Sequence, residues 1–320
     1  MRPLFPPVEP YSSEFLELSG EHEIYRECSG NQYGEPVLFL HGGPGSGSNP
    51  DQRRLFDPKR FNIIQFDQRG CGKSRPHGSL ENNTTNDLVG DIAALLDHLA
   101  LDKVHLAGGS WGSTLALCFA NEYPDRLKSL LLYGIFLGRQ SELQALYFPD
   151  GVAHQLHPEL FEPYLALLPV EDRQNPVEGY GRLFQNGDEA IRDEALLMWT
   201  RLEKRLSRLV VDEDDLCAEL ADVNFVLSHS LIENHYFRHN CFIDGDELLA
   251  TLPDKLRDIP TYIIAGRYDL VCPIITAHEL HKALPHSTMT IVADAGHSFR
   301  EKGITDAFIR ASDALLDQAL

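Results

Sequence analysis

The chain has 320 residues, 43% hydrophobic and 24% charged, enough for one large α/β domain or for a core carrying a subdomain. Its 48 acidic against 28 basic side chains give a formal charge of −20, which argues against a nucleic-acid partner, because a phosphate backbone is bound through clustered Lys and Arg. The Pro-rich start MRPLFPPVEP lacks the regions of a signal peptide, no apolar run approaches the ~20 residues of a membrane span, and the scattered cysteines form no CxxC pair. Reduced thiols in the cytoplasm are therefore expected, with no zinc site or disulfide framework.

In chain order, PVLFL (36–40) reads as a buried strand and is followed by the turn HGGPGSGSNP. FNIIQFD (61–67) is a second strand, closed by QRGCGKS. DLVGDIAALLDHLA (87–100) has apolar residues at helical spacing, with acids early in the segment. KVHLAGGS (103–110) is a third strand ending in a sharp turn, and WGSTLALCFANEYP continues as a helix stopped at Pro124. RLKSLLLYGIF (126–136) is a fourth strand. Strands alternating with helices predict a mostly parallel sheet covered on both faces. Residues 138–239 then mix polar and apolar positions at helical spacing without a clear strand. Strands return at PTYIIAGRYD (260–269) and TMTIVADAGH (288–297), and FIRASDALLDQAL (308–320) closes the chain as a helix. The expected organisation is an α/β core of residues 1–136 and 240–320, with a helical cap inserted at 137–239.

Gly108-Gly109-Ser110-Trp111-Gly112 fits G-x-S-x-G between an apolar strand and a helix-forming run. This is the setting in which a tight turn lifts a serine hydroxyl above a sheet. A serine nucleophile needs a base and a group to orient that base. Asp269 and His297 each follow a late strand, so Ser110, Asp269 and His297 form a candidate triad in the chain order Ser, Asp, His. His41-Gly42-Gly43-Pro44-Gly45 directly follows the first strong strand. The N–H of Gly43, with that of Trp111, is placed to hold an oxyanion; Pro44 has no N–H to offer. GCGKS (70–74) resembles part of a phosphate-binding loop, but the Gly required five positions before Gly72 is Asp67, so ATP binding is rejected.

SLIENHYF (230–237) sets Glu233 among apolar and aromatic neighbours. A carboxylate buried there costs several kcal/mol unless a cation or hydrogen-bond donors compensate it. Arg238 nearby or an incoming cation could do so.

Together, HGGPG, FDQRGCGKS, ENNTTNDLVGDI, GGSWGSTLAL, YGIF, IENHYF, GRYDLVCP and AGHS closely resemble the prolyl aminopeptidase (proline iminopeptidase) family of serine hydrolases, over about residues 10 to 310. The resemblance implies an α/β-hydrolase fold with a helical cap. It also implies release of N-terminal residues, preferably proline, from small peptides without a metal or organic cofactor. Two cap glutamates bind the substrate ammonium in that family, and the motifs place them on Glu233 and Glu203. Around Glu203 the chain departs from the family pattern, with Leu202 for the usual Trp and Lys204 and Arg205 for small residues. Either the helix is rotated there, or extra positive charge lies near the site. Phe136 and Tyr147 match positions that wall the family's proline pocket, and Cys272, three residues after Asp269, is placed at its border. Two other readings use the same parts: a related esterase or amidase, and a catalytically silent ligand receptor.

Overall fold

The computed structural model describes residues 1–19 and 21–317. Eight strands form one sheet: β1 (Pro10–Glu17), β2 (Glu23–Gly30), β3 (Glu35–Leu40), β4 (Phe61–Phe66), β5 (Val104–Ser110), β6 (Leu127–Ile135), β7 (Thr261–Gly266) and β8 (Thr288–Val292). Their order is β1-β2-β4-β3-β5-β6-β7-β8. From β4 to β8 every neighbour is parallel, whereas β1 and β2 join antiparallel at one edge. Those first two strands escape a reading by apolar runs. β1 alternates intermediate and exposed positions, and β2 buries Arg26 and Glu27, which are satisfied by Glu14 and Arg53 rather than by apolar packing.

Helices cover both faces of the sheet. α1 (Thr85–His98) starts at a capping box of Thr84 and Asp87, and α2 (Trp111–Glu122) follows β5 without a break. Between β6 and β7 come α3 (Gln140–Tyr147), α4 (Val152–Leu156), α5 (Pro158–Ala166), α6 (Pro176–Leu183), α7 (Glu189–Leu206), α8 (Glu213–Leu220), α9 (Val223–Arg238) and α10 (Gly245–Lys255). The chain closes with α11 (Ile274–Ala283) and α12 (Lys302–Asp317). α12 begins six residues before the expected Phe308, and residues 318–320 of that expected helix lie outside the described residues. Among the described residues no helix is long and apolar enough to cross a membrane.

The parallel register carries the loops after β3, β5, β6, β7 and β8 to one edge of the sheet. Leu40 pairs with Gly108, Gly109 with Tyr133, and Gly266 with Val292. All the residues singled out in the core therefore emerge at the carboxyl ends of strands, where an α/β sheet opens a crevice.

The DQRGCGKS segment braces this edge. Asp67 Oδ1 accepts from the Ser48 backbone N–H at 2.7 Å and Asp67 Oδ2 from that of Lys73 at 2.8 Å, tying together the loops after β3 and β4. Arg69 is buried and donates to both oxygens of Asp91 on α1, at 2.7 and 2.6 Å. Removing one partner would strand a buried guanidinium. Asp91→Ala is expected to lower unfolding stability in urea by about 3 kcal/mol, and a loss near zero would show that the pair stabilises little.

Candidate active site

Ser110 ends β5 and begins α2 with φ 57° and ψ −131°, a conformation rarely tolerated outside glycine. The flanking glycines explain how the turn closes. A Cβ at Gly108 would run into the Gly112 carbonyl, and one at Gly112 into the Leu40 carbonyl. Only bare backbone fits, so the strained turn holds the Ser110 side chain out at the sheet edge.

Asp269 and His297 meet there. Asp269 Oδ2 lies 2.8 Å from His297 Nδ1, and Oδ1 accepts from the backbone N–H of Val271 at 3.0 Å and Cys272 at 2.7 Å. The carboxylate is therefore fully engaged and orients the imidazole. Burial alone would lower the His297 pKa, but the adjacent Asp269 charge and hydrogen bond outweigh it and raise the value. Gly134, inside the YGIF motif, makes the room: a Cβ there would stand 2.8 Å from His297 Cε1. Gly43 and Gly42 line a cleft of about 750 Å³ together with Ser110 and His297. Gln68 holds both sides of this corner. Its amide donates to the His41 carbonyl at 2.9 Å, and its side-chain oxygen accepts from the Trp111 indole N–H at 2.9 Å.

Helices α7 and α9 start at the capping residues Asp188 and Asp222 and pack against each other. Residues four apart share a helix face, so Trp199 and Glu203 on α7 face His229 and Glu233 on α9. Glu233 is 0% exposed and Glu203 7%. The Tyr147 hydroxyl lies 3.2 Å from an oxygen of each, and the Trp199 indole donates to Glu233 Oε2 at 2.6 Å. His229 Nε2 is 3.3 Å from Glu203 Oε1, and Lys204 Nζ is 3.7 Å from the same oxygen. Glu233 Oε1 has no protein partner.

Both questions that the sequence raises about these glutamates are answered here. Arg238 pairs with Glu178 and leaves Glu233 alone. The α7 helix is not turned away, because Glu203 points inward while Arg205 reaches out to Glu213 at 2.7 and 2.9 Å. Extra positive charge is present in Lys204, which also lies over the Phe225 ring.

Like charges this close cannot both ionise cheaply. Burial, then the neighbouring Glu203 charge, pushes Glu233 well above the usual carboxylate range. Burial acts the same way on Glu203, but His229 once it carries a proton, the hydrogen bond with Glu233 and the neighbouring Lys204 outweigh it and hold the group well below that range. The first proton taken up by the pair is therefore favoured on Glu233. Donor atoms of Glu203, His229 and Glu233 lie within 4.8 Å of one another. The Trp199 N–H and Tyr147 O–H already aim at the same oxygens, which suits an organic ammonium better than a metal ion.

Phe136 and Tyr147 join an aromatic group, with Tyr147 stacked on Trp199 at 4.5 Å and Phe136 edge-on to Phe237 at 5.9 Å. Cys272 Sγ stands 3.9 Å from Ser110 Oγ, and burial raises its thiol pKa well above the ordinary value. The open cleft reaches Ser110, His297 and Glu203, whereas Glu233, Tyr147, Phe136 and Cys272 do not line it. Reading the sequence missed Trp199, His229, Gln68 and Gly134. For the first two a signal existed: each stands four residues before one of the glutamates.

A family model of the α/β hydrolase fold matches residues 35–303. Solved structures share this fold at low identity. The enol-lactonase from Burkholderia xenovorans LB400 superposes with a TM-score of 0.65 at 17% identity, covering 95% of this chain and 100% of that one. The bromoperoxidase from Bacillus anthracis does so with a TM-score of 0.63 at 20% identity, covering 96% and 100%. At sequence level, the "probable proline iminopeptidase" of Leptolyngbya boryana is 46% identical over 99% of this chain and 98% of its own length. The proline iminopeptidase of Arabidopsis thaliana is 42% identical over 98% of this chain and 82% of its own length, and that of Xanthomonas citri 42% over 98% and 99%. The chain is thus an α/β hydrolase, and within that fold it belongs to the proline iminopeptidase family.

Two outcomes are expected. Loss of activity toward acid should set in above the ordinary histidine value of 6.5, because protonating His297 removes the base and its pKa is raised; an acid limb centred below 6.5 would contradict this geometry. A bulky maleimide should react slowly with the buried, protonated Cys272 thiol and abolish turnover once attached. Full activity after mass-verified labelling would remove Cys272 from the pocket.

Proposed function

We propose that the chain is a serine exopeptidase releasing N-terminal residues, preferentially proline, from small peptides. The observation that carries this reading is the buried Glu203–Glu233 pair. Its two carboxyls resist ionising together, Glu233 presents an unpartnered oxygen, and the pair lies beside the cleft that holds Ser110 and His297. A buried negative site needs a cation, and the protonated amine of a peptide's first residue supplies it. Proline's secondary amine carries the same charge. Its ring is apolar and suits a slot between Phe136, Tyr147 and the aromatic side chains behind them. Because those side chains do not line the open cleft, the ring enters by displacing them, starting at the Ser110–Cys272 contact.

With the amine held, Ser110 attacks the carbonyl of the first residue while His297 takes its proton and Asp269 stabilises the imidazolium. The N–H groups of Gly43 and Trp111 hold the oxyanion. His297 then protonates the leaving amine, and water, activated by the same imidazole, hydrolyses the acyl-enzyme. Every step is supplied by these side chains and backbone groups, and none calls on a metal or organic cofactor. Residues 137–239 act as the cap that supplies the amine pocket, on a core formed by 1–136 and 240–320. A cytoplasmic setting belongs to the same reading and agrees with six free thiols.

A panel of aminoacyl-naphthylamides tests this. Prolyl-naphthylamide should be turned over fastest, and its N-acetyl derivative not at all. Glu233→Gln and Glu203→Gln should each cost about 2 kcal/mol or more in kcat/KM, roughly 30-fold, as for a desolvated charge pair left half-complete. Equal rates for free and acetylated substrates would favour the esterase or amidase reading instead.

A further inference from the structure

We propose that His229 is a positioning residue of the amine pocket: it takes up the proton shared by Glu203 and Glu233 when the substrate ammonium arrives, so that both carboxyls ionise without releasing a proton to solvent. The proposal rests on the amine-pocket reading above.

A chain of hydroxyls sets the tautomer of the ring. Ser230 Oγ donates its hydrogen to the Leu196 carbonyl at 2.7 Å. Thr200 Oγ1, 2.8 Å from Ser230 Oγ, must then donate to Ser230, and its lone pair is left facing His229 Nδ1 at 3.4 Å. Nδ1 therefore carries a hydrogen, and in the neutral ring Nε2 is bare. That bare nitrogen stands 3.3 Å from Glu203 Oε1. Two acceptors facing each other repel unless a proton lies between them, so the contact is a seat prepared for one.

In the empty pocket burial and the Glu203 charge favour a proton on Glu233, while burial and Lys204 disfavour one on His229 against the pull of Glu203. An incoming ammonium needs both carboxyls ionised. The Glu233 O–H bond breaks, the Tyr147 hydroxyl, 3.2 Å from an oxygen of each carboxyl, bridges the two groups, and an N–H bond forms at Nε2 beside Glu203. The proton count of the pocket is unchanged. The resulting imidazolium lies between the two carboxylates, Nε2 toward Glu203 and Nδ1 3.7 Å from Glu233 Oε2. The alternative is to send the proton to bulk water from a group that is 0% exposed, by way of Glu203 at the cleft.

The charged groups facing His229 weigh in both directions. On α7, Lys204 opposes an imidazolium and Glu203 favours it. Glu219 on α8 favours it, though Arg208 and Arg300 share that carboxylate at 2.6 and 3.2 Å. On α9 itself Glu233 favours it once ionised, and from α3 the Tyr147 hydroxyl donates to the same two carboxyls. The ring is the neighbour able to gain a proton.

Calorimetric titration of the intact chain carrying Ser110→Ala with L-prolinamide, in buffers of differing ionisation heat near pH 7, counts the protons exchanged on binding. Close to none should be released. In Ser110→Ala/His229→Gln about one proton per ligand should leave, and binding should weaken roughly tenfold for each unit of pH lowered, because release of a proton is opposed by acid. Release of about one proton already from Ser110→Ala overturns the proposal while leaving the amine pocket standing, and this arm decides even if the double variant does not fold. An unchanged count on adding His229→Gln overturns it equally. Absence of prolinamide binding would instead overturn the amine-pocket reading itself.

Discussion

Two carboxyl groups, Glu203 and Glu233, are buried against each other between α7 and α9. Each alone would pull water inward or lose its charge, and side by side they can keep only one charge between them. The surroundings follow from that constraint. Trp199 and Tyr147 are neutral donors with large apolar bodies, so they satisfy oxygens without neutralising them and keep the cavity dry. Lys204 sits at the rim over Phe225, 3.7 Å from Glu203, and acts on Glu233 only as a more distant charge. The pocket is thus kept short of positive charge, and on the proposed reading the substrate supplies it.

The core answers a different problem, that of holding a strained serine steady. Ser110 adopts its left-handed conformation because β5 and α2 leave no other path between them, and bare glycines on each side let the backbones of β3 and α2 close around the turn. Asp67 and Gln68 hold the loops of that corner together with bonds to backbone groups and to Trp111. A stretch that superficially suggests phosphate binding serves here as a brace. Trp111 also meets Tyr236 of α9 edge-on at 4.9 Å, and Tyr236 donates to Asn83 beside Arg69. Cap and nucleophile are therefore parts of one packed unit, and movement of α9 would be felt at the elbow.

This coupling matters because selectivity and chemistry use neighbouring surfaces. The open cleft touches Ser110, His297 and Glu203, while the aromatic floor and Glu233 stay closed beneath it. On the proposed reading, anchoring an amine in the closed part draws the scissile carbonyl toward the serine, and the wider part remains for the leaving peptide. Binding energy gained at the ammonium is spent on positioning a bond several atoms away.

Much of this was legible in the chain itself. Apolar strands alternating with helices define the parallel sheet, and Ser110, Asp269 and His297 each follow a strand, so sheet topology alone brings them to one edge. The antiparallel strands β1 and β2 were not legible, because their stability comes from paired charges such as Arg53 with Glu27 rather than from an apolar pattern. The two glutamates were visible through resemblance, but their state was not. Whether Glu203 faces inward, whether Arg238 neutralises Glu233, and which residues share the pocket proton all depend on how α7 and α9 are set against each other. Local sequence determines periodicity and turn chemistry, which are properties of near neighbours. The shift of a buried acid depends on every charge and donor within a few ångströms, and only tertiary packing decides which those are.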